Sequence, residues 1–228
     1  MTFNKIKMAI YSTILTNYYG FKLTKFKKFS DKKKLRIEYS TKLLNKLNIK
    51  IKVVNEDRLP RDGQYLLISN HRSIIDPLII ETATQNTNIF GHWVAKKELY
   101  NSAFFGKFVR NSGTILLDRE ASKMSGFFKD IKTSVAAGSS IFIFPEGTRN
   151  NTNFVISEFK EGSQIIALKN RLPILPIFIR SKADKILKSA IKDSSKEQII
   201  EIEVGEVIDY KHRNISLENS YKEQFNIA

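Results

Sequence analysis

Residues 66–80 read LLISNHRSIIDPLII, two apolar runs separated by a polar segment. A short apolar run that ends in polar turn residues is typical of a buried strand. Pro77 suits the first turn of a helix, and it disfavours a helical conformation at the residue before it. The stretch therefore predicts a strand, then a loop that carries Asn70, His71 and Asp76, then a helix from Pro77.

The same alternation continues along the chain. Strands are predicted over residues 49–54, 65–69, 89–95, 114–118, 141–144, 174–180 and 199–204, and helices over 35–47, 97–110, 124–135 and 158–169, with a polar tail after Tyr210. Such alternation predicts an α/β fold, a single domain over residues 49–228 with a mainly parallel central sheet covered by helices. A basic, amphipathic helical arm over residues 1–48 precedes it.

Charge is concentrated in that arm. The chain has 38 Lys and Arg against 23 Asp and Glu, a formal net charge of +15. Residues 1–50 hold 13 of the basic residues but only two acidic ones, Asp31 and Glu38, which gives this segment +11. The chain has no cysteine, which excludes a disulfide scaffold, a thiolate zinc site and a cysteine nucleophile, and favours a reducing compartment.

The arm is also apolar. Residues 8–21 form an uncharged stretch of 14 residues, whereas a membrane-spanning helix needs about 20. No small-residue cleavage site follows, as a signal peptide would require. Residues 22–36 then carry eight basic residues interleaved with Leu23, Phe26 and Phe29. This pattern predicts a helix at the membrane surface. A nucleic-acid-binding segment, or a structural helix with a solvated basic face, remains an alternative.

The predicted loop of residues 70–76 has the residues of a general base. His71 and Asp76 are too far apart round a helix to meet, but a loop brings its two ends together. A carboxylate on one imidazole nitrogen leaves the other nitrogen able to take a proton. The alternative is structural, with Asp76 as a helix N-cap and His71 as a hydrogen-bonding side chain. His92 lies in an apolar strand and His212 in the polar tail, so neither is a better base.

A second polar segment, PEGTRN at residues 145–150, follows the strand predicted over 141–144. Gly147 allows a close backbone approach to a ligand, Thr148 supplies a hydroxyl, and Arg149 can hold a phosphate through two hydrogen bonds. The alternative is a turn with an exposed Glu146–Arg149 pair.

A third strand end carries Asp118 and Arg119, which are either further site residues or an N-cap and a surface charge. The chain has no Gly-x-Ser-x-Gly elbow and no phosphate-binding Walker loop. No histidine and carboxylate cluster has metal-ligand spacing, so no metal is expected. The sequence thus offers a base and cations without a nucleophile, and the nucleophile is expected to come from the substrate.

Four segments, NHRSIID, GTILLDR, FPEGTR and LPILPI, occur in this order between residues 50 and 180. Together they resemble the four sequence blocks of the glycerolipid acyltransferase family. The resemblance implies that His71 is the general base and that Asp76 orients it. It also implies substrate-binding residues around the acceptor's phosphate: Asn70, Lys96, Arg119, Glu146, Gly147, Thr148 and Arg149. Lys96 is as easily a solvated charge, and Pro173 and Pro176 are linked to the acyl group or its donor.

The activity implied by this resemblance is transfer of a fatty acyl group to 1-acyl-sn-glycerol 3-phosphate (lysophosphatidate), which forms phosphatidate without an acyl-enzyme. The donor would be acyl-CoA or acyl-ACP (acyl carrier protein) as co-substrate, with no further cofactor. Alternatives are another acceptor, a lyso-ornithine lipid or a lysophospholipid, and a non-enzymatic nucleic-acid binder. The expected partners are membrane lipids and the acyl carrier, without nucleic acid. The expected location is the cytoplasmic face of the inner membrane, as a peripheral or monotopic protein.

Overall fold

A computed structural model describes residues 3–118, 124–211 and 215–227. Within these residues, seven strands form one sheet: β1 (Ile49–Val54), β2 (Leu66–Ser69), β3 (Gly91–Lys96), β4 (Ile115–Leu117), β5 (Ser140–Ile143), β6 (Ile174–Ile179) and β7 (Gln198–Val204). The helices are α1 (Phe3–Lys22), α2 (Phe29–Lys46), α3 (Asp76–Ala83), α4 (Lys97–Tyr100), α5 (Gly106–Asn111), α6 (Met124–Ala136), α7 (Gly162–Asn170), α8 (Ala183–Lys192) and α9 (Leu217–Phe225). The predicted α/β class is confirmed.

The strand order is β1-β7-β6-β2-β5-β3-β4. Strands β2 to β6 run parallel to one another, whereas β7 pairs antiparallel with β6 and carries β1 parallel beside it. The sheet is therefore mainly parallel, as predicted. Because β2 and β5 are parallel neighbours, their carboxyl ends meet at the same edge, and so do the polar segments that follow them.

Each face of the sheet carries its own core. Leu67 of β2 packs in a cluster with α2, α3 and α8, whereas Leu66 and Ile68 pack in a cluster with α6, α7 and α9. This division follows from the strand's two-residue side-chain period. The chain leaves β2 through α3 on one face and leaves β5 through α7 on the other. The two connections diverge above the carboxyl ends of these strands, where open α/β sheets place their ligands.

The carboxyl-terminal part departs from the sequence prediction. Residues after Tyr210 were predicted to be a polar tail, but residues 217–225 form α9, in which Tyr221 and Phe225 are fully buried. The helix was not predicted because its composition is mostly polar, although it contributes a few large side chains to the core. The sequence prediction also missed α8, and its single helix over 97–110 is two short helices, α4 and α5.

Residues 3–48, the described part of the predicted arm, contain two helices, α1 and α2, with different surroundings. The helix predicted over residues 35–47 is confirmed as part of α2, and its Leu35, Tyr39 and Leu43 are buried in the same cluster as Leu67 of the sheet. Helix α1 buries Tyr19 but exposes apolar side chains along its outer face. No helix in the described ranges is both long enough and apolar enough to cross a bilayer.

A buried ion pair fastens α2 to the rest of the domain. The Arg36 guanidinium lies 2.6 Å from a carboxylate oxygen of Glu81 in α3, with both side chains about 95% buried. The same guanidinium donates to the carbonyl oxygens of Gly91, at 2.8 Å, and Ser112, at 3.4 Å. Arg36, near the middle of α2, thereby ties this helix to α3, to the start of β3 and to the turn before β4.

We predict that Arg36→Met lowers the free energy of unfolding by about 3–5 kcal/mol, because it leaves the Glu81 carboxylate buried without its ion-pair partner. Urea unfolding followed by circular dichroism measures the change. The matched control is Lys52→Met, which breaks the exposed Lys52–Glu201 pair and should cost less than about 1 kcal/mol. Equal losses for the two variants would contradict the structural role of the buried pair.

Candidate functional site

His71 and Asp76 form the predicted pair. The His71 Nδ1 atom lies 2.8 Å from Asp76 Oδ2, and the Asp76 side chain is fully buried. A carboxylate accepts but does not donate, so this contact places the imidazole hydrogen on Nδ1 and the lone pair on Nε2. The ring is 17% exposed. The pair therefore presents a partly accessible nitrogen that is suited to take a proton.

Asp76 does not act as the N-cap that the alternative interpretation required. It is the first residue of α3, and its carboxylate reaches back to the loop, where Oδ2 accepts from the backbone N–H groups of Arg72 and Ser73, both at 2.7 Å. These two bonds close the loop around the carboxylate. The same oxygen that orients His71 thus also fixes the backbone that carries it.

Glu146 joins this loop to the segment that follows β5. One carboxylate oxygen accepts from the His71 backbone N–H at 2.6 Å, and the other accepts from the Ser157 N–H at 2.7 Å. The residue is nearly fully buried. Burial raises the pKa of Glu146, while the N–H groups of His71 and Ser157 oppose that rise. Both oxygens are occupied by backbone donors, so Glu146 cross-links two loops; its expected contact with a phosphate stays a prediction.

The backbone carbonyl of His71 is held from the same segment. It accepts from the Asn150 N–H at 2.6 Å. Both backbone polar groups of His71 are therefore bonded to the loop after β5, while its ring is bonded to Asp76. Three contacts from two sides leave the catalytic candidate little freedom to move.

An aromatic stack supports the imidazole ring. The Phe144 ring lies parallel to that of His71, with centroids 4.0 Å apart and planes at 9°. Trp93 stacks on Phe144 at 5.1 Å, and its Nε1–H donates to Glu81 at 2.8 Å. Glu81 is the partner of Arg36. A continuous series of side-chain contacts thus connects α2 with His71. The sequence did not single out Phe144 and Trp93, because aromatic residues within strands are usually ordinary core residues.

The predicted anion-binding residues lie beside His71. Gly147 adopts a φ of +67°, a left-handed conformation that favours glycine, in a turn closed by its N–H on the Phe144 carbonyl at 2.9 Å. Thr148 and Arg149 follow and are exposed to solvent. Because Asn150 bonds to the His71 carbonyl, Thr148 and Arg149 directly precede a residue that contacts the candidate base. Their expected contact with a phosphate stays a prediction.

Other predicted residues are less central. Lys96 is half-buried at the carboxyl end of β3, on the same edge of the sheet. Asp118 pairs with Lys97 at 3.0 Å. Arg119 and His212 lie outside the described residues. His92 is buried and its two ring nitrogens face the Gly113 carbonyl and the Ser139 hydroxyl, which makes it a structural residue.

Asn70, a predicted substrate contact, lies beneath the loop. Its Oδ1 accepts from the Ile179 N–H at 2.8 Å, and its Nδ2 donates to the Ile179 carbonyl at 3.1 Å. The side chain thus continues the β2–β6 ladder past the end of β2. Tyr221 of α9 lies alongside, where its O–H donates to the Ile177 carbonyl at 2.8 Å and accepts from the Asn70 N–H at 3.3 Å. Burial raises the pKa of Tyr221 well above its usual value.

Comparisons with known proteins agree with this architecture. A model of the Acyltransferase family matches residues 50–180. A 1-acyl-sn-glycerol-3-phosphate acyltransferase of Helicobacter pylori is 37% identical over 118 residues, which are 51% of this chain and 48% of that protein. Its counterpart in Streptococcus pneumoniae is 30% identical over 124 residues, 54% of this chain and 44% of that protein. The chain thus spans about half the length of these curated relatives.

A solved structure shows the same fold. The crystal structure of the 1-acyl-sn-glycerophosphate (LPA) acyltransferase PlsC from Thermotoga maritima aligns with a TM-score of 0.69. The alignment covers 98% of this chain and 89% of that one, at 19% sequence identity. The likeness extends over both amino-terminal helices as well as the sheet.

We predict that Glu146→Ala lowers the free energy of unfolding by about 2–4 kcal/mol, because it leaves the buried N–H groups of His71 and Ser157 without an acceptor. Urea unfolding measures the change, and Glu158→Ala is the matched control, since Glu158 is exposed and its loss should cost less than about 0.5 kcal/mol. If Glu146→Ala were as stable as the control, Glu146 would not be the cross-link between the two loops.

Proposed function

The chain belongs to the Acyltransferase family, and on this premise we propose that it transfers a fatty acyl group from an acyl thioester to the free hydroxyl of lysophosphatidate. The observation that carries the proposal is the His71–Asp76 pair at the carboxyl end of β2, with the exposed Arg149 in the adjoining loop. The names of the similar curated proteins supply the acceptor and the product, phosphatidate.

The proposed chemistry needs no nucleophile from the protein. Nε2 of His71 takes the proton of the acceptor hydroxyl as its oxygen attacks the thioester carbonyl. The new C–O ester bond forms, the C–S bond breaks, and the thiol leaves with a proton. The Asp76 carboxylate stabilises the imidazolium that forms on the way. The donor is acyl-CoA or acyl-ACP, and no acyl-enzyme or further cofactor takes part.

Position is as important as basicity in this mechanism. A phosphate held by Arg149 through two charge-assisted hydrogen bonds would fix the acceptor so that its hydroxyl meets Nε2. Gly147, with its left-handed backbone, lets the chain turn closely beneath such a phosphate. Thr148, Lys96 and Arg119 complete the proposed set of acceptor contacts.

The outer face of α1 supports a proposed attachment to the membrane surface. Ile6, Ile10, Ile14, Tyr18 and Phe21 are each more than 40% exposed and recur every three or four residues, so they form one apolar stripe. Lys22, Lys25, Lys27 and Lys28 follow at its end. Apolar side chains at the headgroup boundary, with lysines beside anionic lipid, give peripheral binding. The lack of cysteine favours the cytoplasmic face.

The proposed activity is tested by incubating the protein with lysophosphatidate and an acyl thioester. Because the chain contains no cysteine, the released thiol can be followed by a thiol reagent without background from the protein. We predict that His71→Ala lowers turnover about 10²–10⁴-fold, the range that a general base contributes, while its circular dichroism spectrum stays that of the wild type. Asp76→Asn should also lose turnover.

Arg149→Gln serves as the comparison variant. It should raise KM for lysophosphatidate while leaving KM for the donor unchanged, and Arg61→Gln, at another exposed arginine, should change neither.

Normal turnover by His71→Ala would refute the mechanism. If wild type acylates a lyso-ornithine lipid or a lysophospholipid in preference to lysophosphatidate, the acceptor is corrected while the reaction class stands.

The attachment through α1 gives a separate prediction. Ile14→Glu should reduce co-flotation with phosphatidylglycerol-containing vesicles about tenfold or more, because it replaces an apolar side chain at the stripe with a charge. Val207→Glu, at an exposed apolar position away from the arm, is the matched control. Raising the salt concentration should weaken wild-type binding, since the lysines contribute. Equal flotation of both variants would contradict a role of the stripe.

A further inference from the structure

The loop between β5 and α7 carries a second exposed apolar feature. Phe154 is 76% exposed and Val155 is 45% exposed, next to the polar residues Asn151 and Asn153. We call residues 151–155 the tip. The tip follows Asn150, whose N–H bonds to the His71 carbonyl. A large aromatic side chain is thus presented to solvent shortly after the residue whose backbone bonds to that of the candidate base.

Arg72, the residue after His71, is hydrogen-bonded to the backbone of the tip. Its guanidinium donates to the carbonyl oxygens of Thr152, at 3.4 Å, of Val155, at 3.1 Å, and of Phe154. One side chain thus supplies donors to three carbonyls of the tip. The backbone that presents Phe154 is fixed directly to the loop that presents His71.

Other backbone groups of the tip are hydrogen-bonded to the side chains of Asn150 and Thr152. Asn150 Oδ1 accepts from the N–H and the hydroxyl of Thr152, at 2.9 Å and 2.7 Å, and its Nδ2 donates to the Phe154 carbonyl at 3.0 Å. The Thr152 hydroxyl oxygen accepts from the Phe154 N–H at 3.2 Å. Groups that already have protein partners lose little when water is removed, whereas unbonded ones would cost several kcal/mol each.

These observations lead us to propose that Phe154 and Val155 enter the membrane surface and set the mouth of the site against the lipid. The proposal rests on the proposed function, which places the acceptor in the bilayer. Two exposed apolar side chains that follow Asn151 and Asn153 suit the headgroup boundary. They are too small a surface for a stable protein partner, which needs about 800 Å² from each side. The basic amino-terminal segment, with +11 of the chain's +15 charge, favours an anionic lipid surface for the protein as a whole, and the uncharged tip would add apolar contact to it.

The tip would then differ in purpose from α1. Helix α1 holds the protein on the surface through its stripe, whereas the tip lies beside His71 and determines where a lipid acceptor leaves the bilayer. The acceptor's hydroxyl would need to travel only the short path along the tip to reach Nε2. Loss of the tip should therefore impair the use of membrane-embedded acceptor more than the use of a soluble one.

Site-specific fluorescence tests the contact without requiring turnover. The chain has no cysteine, so Phe154→Cys can be labelled at a single position with a polarity-sensitive fluorophore. Adding vesicles of phosphatidylcholine and phosphatidylglycerol should raise its emission and shift it to shorter wavelength. Val207→Cys is the matched control: it follows β7, which runs antiparallel to β6, so it lies at the opposite edge of the sheet. Its label should not respond.

A kinetic comparison provides the second measurement. Phe154→Ser should bind vesicles about ten- to hundredfold more weakly, the loss expected for one buried aromatic side chain, and should lose activity on vesicle-embedded lysophosphatidate. Its turnover of a monomeric short-chain lysophosphatidate should stay that of the wild type. Equal losses on both acceptors would overturn the proposal, because they would indicate a role inside the site.

The remaining outcomes are also decisive. An unchanged label at position 154 on vesicle-bound protein, or a protein that does not bind vesicles, would overturn the membrane contact. A response of the label to monomeric acceptor without vesicles would identify the tip as part of a substrate pocket instead. A wild type that responds to vesicles but transfers no acyl group would refute the proposed function and leave the membrane contact standing.

Discussion

The hydrogen bond from the His71 N–H to the buried Glu146 carboxylate joins the two halves of the site. Burying a carboxylate is costly unless donors replace the water it loses. Here two backbone N–H groups, from His71 and Ser157, do so. The arrangement is possible because β2 and β5 are parallel neighbours whose carboxyl ends coincide. The polar residues that follow each strand can therefore hydrogen-bond to one another, and each loop supplies partners for the buried polar groups of the other.

The same dependence extends to the amino-terminal helices. The two halves of residues 1–48 have opposite roles in packing: α2 is buried against the sheet, whereas α1 exposes its apolar stripe. Arg36 connects α2 through Glu81 and Trp93 to Phe144, the ring that stacks on His71. An element that supports a proposed membrane helix is therefore also part of the support of the proposed base.

Much of this organisation could be predicted from local sequence signals. Parallel strands, the helix predicted over residues 35–47 and the loop before Pro77 all follow from patterns within a few residues, and the structure confirms them. The stack of Phe144 on His71 could not be predicted, because it depends on contacts between residues more than 70 positions apart. Helix α9 was not predicted for a different reason: its composition is mostly polar, like that of a tail, and its buried apolar side consists of Leu217, Tyr221 and Phe225.

The polar residues of the two segments fall into two physical groups that look alike in sequence. Asn70, Asp76, Glu146 and Asn150 are buried, and their side chains bond to backbone groups of the loops or of β6. Thr148 and Arg149 point to solvent, and His71 is partly accessible. A buried polar side chain without partners is expensive, so the first group must be complete for the loops to hold their shape. The second group is the part of the two segments that solvent reaches, and it is this group that the proposed function assigns to the substrate. A chain that places polar residues within its own core can thus build a rigid site, provided that most of those side chains hydrogen-bond to the backbone and only a few are left for the proposed reaction.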